Sequence, residues 1–461
     1  ATTYGSGPQA GFGAGPLTDQ GTTDTETCAN WDRFFIVHQP DINAFKADWQ
    51  DNGMIDNIVP SSILGWPGRG NPHFLDVNGY ALPEGTFAPY VDINGDGVYN
   101  PMLGDYPSTK QADEAIWWVY NYAYESDTYP QAPGIEVHAM AYAYASDVDA
   151  LNNTTFYDIK LINKSPTPLD STYFSIWTDP DLGCYTDDYV GYNPDNHMAF
   201  VYNTDAQDGS VGCNCDQGVN TYCEEIPMVG ILPLDGIDSQ GNTSPSSFVV
   251  YHGYEGPPNQ GDPNIPLEYY RLMQGQWLDG SPITDPNGEP IQYMYPGAPD
   301  NEDEWSMCSD GGAPVGDRRM LINFGPFNFP QGAIEAISFA VVGVEDVPHP
   351  CPSLNPLTDA ANEVLGFYDI LSAEESPGKV ECNATVFPNP VTGQSVITLD
   401  AEHDRIWEVI IYTSNGKTAL YQNRISNSQF EVGKSSLPAG VYFFRVATEE
   451  GKIGRGKFVV H

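Results

Sequence analysis

The residues best placed to do chemistry are carboxylates in two short stretches. In the first, Asp92-Ile93-Asn94-Gly95-Asp96-Gly97-Val98-Tyr99-Asn100-Pro101, side-chain oxygens stand at loop positions 1, 3 and 5, and the glycine at position 6 permits the turn that lets them converge. Hard oxygen donors in this spacing suit calcium, with Val98 offering its backbone carbonyl at position 7. Leu103 stands at position 12 where a twelve-residue calcium loop carries glutamate, so Asp105, two residues on, is the expected source of the missing carboxylate. An ion-free Asx-rich turn is the plainer alternative. The second stretch places Asp179, Asp181, Asp187 and Asp188 just past the end of an expected strand. Carboxylates that close do not all stay ionised cheaply unless a cation or many donors neutralise them. Two or more calcium ions are therefore expected overall. The rivals at the second stretch are a carboxylate pair for glycoside hydrolysis and a solvated loop.

Other constellations are scarce. The chain has no H-E-x-x-H, no G-x-S-x-G and no phosphate-cradling glycine loop, and its eight histidines are scattered singly. His138 within a strand and His197 near the acidic stretch read as packed residues. Arg318 and Arg319, the one adjacent basic pair before the tail, are expected to hold acidic loops from within through their forked donors. The eight cysteines, Cys28, Cys184, Cys213, Cys215, Cys223, Cys308, Cys351 and Cys382, are even in number and suggest disulfides; a local bridge among Cys213, Cys215 and Cys223 is plausible, but the pairing stays open. With no histidine at ligand spacing beside them, a zinc knuckle is the weaker reading.

The chain carries 62 acidic and 18 basic residues, and the segment from Glu381 onward holds 8 of each, so the deficit of 44 charges falls on the preceding body. Such a surface repels nucleic acid and anionic membrane, and it suits divalent cations. No run approaches the roughly eighteen apolar residues of a membrane helix. Ala1-Thr2-Thr3-Tyr4-Gly5 lacks the basic start and apolar core of a signal peptide, so any export signal is expected upstream or already removed.

The elements that must position these residues read as mainly β. Residues 1–30 are expected as coil or edge, and Ile42, Phe45 and Trp49 lie on one face of a short helix after Pro40. Glu114 to Tyr120 is apolar on both faces and is expected as a central strand; Ile135 to Tyr144, Thr155 to Asn163 and Ser171 to Thr178 alternate as three further strands. A possible helix follows at Leu267 to Trp277, closing strands at Met320 to Asn323 and Ala336 to Val344, and a helix capped by Asn355-Pro356 with Ala361, Val364, Leu365, Tyr368 and Leu371 as its apolar stripe. This predicts a large β-sandwich body with long calcium-binding loops and few helices over 1–375, a linker at 376–384, and a small immunoglobulin-like β-sandwich at 385–461.

In that last domain, alternating apolar runs (Val409 and Ile411; Val441 and Phe443; Phe458 and Val460) are separated by turn signals. Its F-P-N-P opening at 387–390, S-N-G-K at 414–417, L-P-A-G-V-Y-F-F-R-V at 437–446 and K-F-V-V at 457–460 resemble the C-terminal sorting domain of the Bacteroidota type IX secretion system. The body resembles an uncharacterised group of large exported Bacteroidota proteins, through D-I-N-G-D-G-V-Y-N-P with G-D-Y-P, A-I-W-W-V-Y-N, N-N-T-T-F-Y, D-P-D-L-G with D-D-Y-V-G, F-V-Y-N-T-D, V-G-D-R-R-M and G-P-F-N-F-P-Q-G. Against that group residue 1 falls inside the domain, so a first strand region is expected to be missing. The resemblance implies export to the cell surface or beyond, with the secretion machinery as a partner, and Asp170-Ser171-Thr172 is similar to the group's short glycosylation sequon, which makes Ser171 a candidate site. Three functions are then in view. They are a calcium-stiffened structural or adhesive protein, including a self-associating subunit of an extracellular filament or one docked on neighbouring surface proteins; a carbohydrate-binding protein; and a secreted glycoside hydrolase.

Overall fold

The computed structural model describes residues 12–123, 133–209, 212–215, 221–236, 244–252, 257–311, 316–345, 347–374, 384–399, 405–413, 418–434, 437–448 and 453–460. Cys382, the S-N-G-K hairpin apart from its neighbours, and the expected linker up to 383 lie outside them. The protein is mainly β, 39% strand and 17% helix. It divides into two compact units, residues 1–360 and 361–461.

The first unit runs in order through β1 (Gly13–Ala14), α1 (Thr25–Trp31), β2 (Phe35–His38), α2 (Gln39–Asn52), α3 (Ser61–Leu64), α4 (Phe74–Asn78), β3 (Tyr90–Val91), β4 (Tyr106–Pro107), β5 (Glu114–Tyr122), β6 (Ile135–Ala143), α5 (Asp149–Asn152), β7 (Thr154–Asn163), β8 (Leu169–Thr178), β9 (Asp188–Asn193), β10 (Met198–Asn203), β11 (Met228–Gly236), β12 (Ser247–His252), α6 (Pro266–Met273), β13 (Arg318–Phe329) and β14 (Ile334–Val344). The helix α7 (Asn355–Glu374) crosses the division between units. Nine strands form one antiparallel sheet, β1-β5-β6-β7-β14-β11-β10-β9 with β2 also on β5; three form a second, β12-β13-β8.

The two sheets face each other across a core that includes Val137, Ile159, Tyr192, Val201 and Ile231 from the large sheet and Phe248, Val250, Ile322 and Phe324 from the small one. In β13, the middle strand of the small sheet, every residue from Arg318 to Phe324 is buried, so it is covered on both faces there.

Two expectations need correction. Glu114 to Tyr120 is not central: β5 lies beside the sheet edge, and β1 and β2 share its outer side. Its second apolar face is buried by the helical segment instead, where Trp117 meets Trp31 at 6.4 Å and Phe35 at 5.8 Å. Residues 1–30 hold a helix, α1, capped by the Asp24 carboxylate accepting from Thr27 N–H at 2.7 Å. The three consecutive strands stand as β6, β7 and β8; β6 and β7 pair with each other, and β8 crosses to the small sheet. The helix after Pro40 stands as α2, with Ile42 and Phe45 buried, and the Asn355 helix stands as α7, with Ala361, Val364, Tyr368 and Leu371 buried.

The second unit contains β15 (Ala384–Phe387), β16 (Gln394–Leu399), β17 (Ile406–Thr413), β18 (Thr418–Asn427), β19 (Gln429–Gly433), β20 (Gly440–Thr448) and β21 (Ile453–Val460). They pair as β15-β16-β19 and β18-β17-β20-β21, two sheets sharing a core of Val391, Ile397, Val409, Ile411, Phe430, Phe444 and Phe458, among others. In β20 the buried set is Tyr442, Phe444 and Val446, while Val441 and Phe443 are exposed, one residue out of step with the expected face. Both alternate sets of V-Y-F-F-R-V are largely apolar, so pattern alone does not choose; the Tyr442 hydroxyl, donating to Pro438 C=O at 2.9 Å, accompanies the chosen face.

Candidate metal centre

The first acidic loop hangs from a two-residue ladder in which Tyr90 faces Pro107 and Val91 faces Tyr106. Asp92 accepts from Gly95 and Gly97 N–H, each at 2.7 Å; Asn94 accepts from Asp96 N–H at 2.9 Å; and Asp96 accepts from Val98 N–H at 2.8 Å. Gly95 and Gly97 both take positive φ, which only glycine adopts at little cost. Asp92, Asn94 and Asp96 thus sit on one tight turn as their spacing required. Val98 and Leu103 are exposed.

Asp105 is fully buried and ties the two ends of the loop, accepting from Ile93 N–H and Asn100 N–H, each at 2.8 Å. Burial raises its pKa, against the lowering effect of those two N–H donors. Truncation would strand both donors. Asp105→Ala should therefore cost about 2–4 kcal/mol, read as a lower urea midpoint with unchanged slope, while Asp105→Asn, which keeps one acceptor, should lose less.

The second stretch divides in two. The β8–β13 ladder pairs Thr178 with Met320, which brings the residues just after β8 beside those just before β13. Ligand oxygens of Asp179, Asp181 and Asp317 consequently lie within 4.8 Å of one another. Arg319 sits in this cluster, 2.9 Å from Asp317 and 3.6 Å from both Asp179 and Asp262. Arg319 so does what its sequence context suggested, holding acidic loops together. Burial disfavours its charge, but Asp179, Asp317 and Asp262 outweigh that and hold the guanidinium above its ordinary range.

One arginine leaves the cluster short of cations. Burial is the first cause raising Asp179 to about 6; Arg319 pulls it down, and Asp317 and Asp181 push it further up. Asp181 is raised by burial and by Asp317. A divalent cation would satisfy this donor set of hard oxygens, and Asp179 Oδ1 is buried without a hydrogen-bond partner.

Asp187 and Asp188 are not in that group. Both are buried, at 0% and 1% exposure, beside a third buried carboxylate, Asp208. Asp187 accepts from Gly209 N–H at 3.1 Å, Asp188 from Leu182 N–H at 2.9 Å, and Asp208 from Cys184 N–H at 2.9 Å and from Tyr222 N–H. Burial leads in raising Asp187 to about 6, helped by Asp208 and Asp205, and in raising Asp188 to about 9, helped by Asp187 and Asp208. One oxygen on each of Asp187 and Asp188 is buried without a hydrogen-bond partner.

Two disulfides, Cys184–Cys213 and Cys215–Cys223, tie the loops that carry these carboxylates; Cys308–Cys351 is the third. Cys28 makes no disulfide among the described residues. Asp317, Asp262 and Asp208 were not singled out from sequence. Asp317 directly precedes the Arg318-Arg319 pair, which was the available signal.

His138 and His197 both make side-chain contacts within the fold. His138 is 3% exposed, within 2.8 Å of Glu136, whose other oxygen accepts from Leu17 N–H at 2.7 Å. His197 meets the Tyr192 hydroxyl at 3.0 Å. Ser171 is exposed on β8 at positive φ. A cleft of about 400 Å³ opens next to the Asp179 cluster, lined by Asp181, Trp177, Tyr222, Tyr157 and Phe339 among others.

No curated protein matches the chain. Among solved structures, it is similar to a polysaccharide lyase at 8% identity and TM-score 0.22, covering 70% of this chain, and it spans about a third (34%) of that lyase's length. It is also similar to CopC from Methylosinus trichosporium OB3b (16% identity, TM-score 0.14, 17% of this chain and 93% of that one) and to a Faecalibacterium prausnitzii β-glucuronidase (8% identity, TM-score 0.15, 64% and 47%). At these scores none bears on activity. The model of the secretion system C-terminal sorting domain matches residues 385–461, the β-sandwich built on Val409, Phe444 and Phe458. No helix among the described residues is long and apolar enough to cross a membrane. The chain carries a type IX secretion C-terminal sorting domain, and it is an exported protein of the cell surface or the extracellular space.

Proposed function

We propose that the body of this exported chain is a calcium-stabilised structural or adhesive protein of the cell exterior. The observation that carries the reading is the convergence of Asp179, Asp181 and Asp317 within 4.8 Å with Arg319 as their paired cation. Two positions after one strand and one before its neighbour supply these groups, so an ion there would clamp the ends of β8 and β13. The Asp92 loop and the Asp187–Asp188 pair are further candidate calcium ligands by their donor chemistry.

Direct binding measurements test this. Titrating calcium into the intact chain should show Kd values of about 10⁻⁴–10⁻³ M, the range of extracellular modules. Asp181→Asn with Asp317→Asn should remove one class of site and leave the rest. Absence of uptake at several millimolar calcium would sink the proposal.

A second reading, recognition or hydrolysis of a glycan, draws on the same neighbourhood. Trp177 is 40% and Tyr222 47% exposed, and both line the cleft that Asp181 enters. Aromatic faces beside carboxylates bind sugars by stacking and hydrogen bonding. A glycan-array signal lost in Trp177→Ala supports it, and release of reducing ends lost in Asp179→Asn would make it catalytic.

A further inference from the structure

The face of the large sheet turned away from the sandwich core carries a buried carboxylate that the calcium reading does not use. Along β6, Val137 and Ala139 enter the core, so alternation turns Glu136 and His138 to the other side. Glu136 is 3% exposed. One of its oxygens accepts from Leu17 N–H at 2.7 Å, and the other meets His138 Nε2 at 2.8 Å. His138 Nδ1 is buried without a hydrogen-bond partner, which fits the neutral imidazole whose single proton sits on Nε2, since a second N–H would stand unpaired in a dry site. No lysine or arginine among the described residues forms an ion pair with Glu136. The carboxylate is held by two N–H dipoles and lacks the counter-charge that burial ordinarily demands.

A cavity of about 340 Å³ opens beside this group. Glu136, Leu17 and Phe87 line it as buried residues, whereas Glu84, Thr86 and Ile334 line it as exposed ones, so it runs from the sheet to the surface. Its size is at the lower end for small-ligand sites. Its charged lining is Asp19, Glu84 and Glu136 against Lys164, and Lys164 already lies 3.5 Å from Asp19. The three acids do not converge within 4.8 Å of one another as Asp179, Asp181 and Asp317 do. That spread argues against a bare metal ion and for a longer, organic cation.

We propose that this cavity binds a primary ammonium group carried on a short aliphatic chain, as in a lysine side chain or an alkylamine. The ammonium donates to Glu136, whose two oxygens accept about four hydrogen bonds when ionised and have two N–H donors in the fold. Charge-assisted bonds of this kind are the strong ones. Leu17, Ile162 and Ile334 give the methylenes an apolar wall. A chain at −44 draws cations towards its surface. The proposal goes beyond the calcium reading and does not depend on it.

The test is calorimetric titration of the intact chain with n-pentylamine and with Nα-acetyl-lysine amide, at about 0.15 M salt, where screening suppresses loose counter-ion binding to the acidic surface. Both should bind saturably. Pentanol and Nα-acetyl-norleucine amide, which keep the carbon chain and lack the charge, should bind about tenfold more weakly or worse. Glu136→Gln keeps the shape, removes the charge and should weaken amine binding by about the same factor. Ile334→Trp narrows the cavity from an exposed strand position where tryptophan is well tolerated, and it should also weaken binding, so the prediction holds even where Glu136→Gln does not fold. Calcium uptake should stay at the wild-type level in Ile334→Trp. Tighter binding of the lysine amide identifies a presented lysine side chain, and tighter binding of pentylamine a small amine; either supports the proposal. No saturable amine binding, neutral analogues that bind as well as the amines, or amine binding indifferent to Ile334→Trp and to a folded Glu136→Gln would overturn it.

Discussion

Stripped of divalent cations, the body should melt at a higher temperature near pH 5 than near pH 8, and calcium should abolish or reverse that trend. The sign follows from the carboxyls whose folded pKa lies above the ordinary 3.8: Asp179 and Asp187 at about 6 and Asp188 at about 9, each with burial as the leading cause. Between 3.8 and those values these three carboxyls hold more protons in the folded chain than in the unfolded one, while His252, lowered to about 4 by burial and by Arg318, works in the opposite sense below its ordinary 6.5. Stability therefore falls as pH rises through the window, and it is fullest below the unfolded value. A cation reverses the preference by favouring the ionised forms. At a hundredfold excess over Kd, one bound ion contributes about 2.7 kcal/mol, equivalent to roughly 3–4 °C for a unit of this size. Differential scanning calorimetry at pH 5, 6.5 and 8, with chelator or with calcium, reads both effects. A cation-free chain most stable at pH 8, or one indifferent to calcium at that pH, would contradict the proposed role of these carboxylates. Asp188→Asn should flatten the upper part of the window, since an amide cannot lose the proton that makes the buried group costly.

How much of this was legible beforehand depends on the range over which each cause acts. The Asp92 loop is a local object: spacing, two glycines and a following aspartate specify a turn whose hydrogen bonds run over two to five residues, apart from Asp105. The Asp179 cluster is not. Asp317 lies far along the chain and joins Asp179 and Asp181 only because β8 crosses to the small sheet and pairs with β13. Alternation announced both strands and stayed silent on which sheet each enters. The same limit shows in β20, where Val441 and Phe443 are as apolar as Tyr442 and Phe444, and burial is decided by partners elsewhere in the fold. It shows again in β5, whose two apolar faces suggested a central position. They instead face the sandwich core and an aromatic cluster of Trp31 from α1, Phe35 from β2 and Phe74 from α4. Even-numbered cysteines announced disulfides, whereas the pairing of Cys184 with Cys213 needed the loops' meeting to be known.

That pairing carries the second large effect. Cys184–Cys213 closes a loop of 29 residues, and removing it, as Cys184→Ser with Cys213→Ser, should cost about 3–4 kcal/mol through the entropy returned to the unfolded chain. A purely entropic loss would appear as a lower urea midpoint with calcium affinity unchanged. Here the bridge has a further duty, because Cys184 N–H donates to Asp208 and the bridged loops hold Asp187, Asp188 and Asp208 together out of water. Three buried carboxyls repel one another, and the link between their loops opposes that repulsion. The double variant should then lose more stability at pH 8 than at pH 5, where protonation relieves the repulsion, and its calcium uptake should fall by the sites these residues supply. Removing Cys308–Cys351 serves as the control: it closes a longer loop of 43 residues, so the entropic cost is at least as large. Neither of its cysteines hydrogen-bonds to Asp187, Asp188 or Asp208 at the contacts described above, and its cost should not vary with pH over that window. Equal pH dependence in the two variants would show that the Cys184 bridge acts on chain entropy alone.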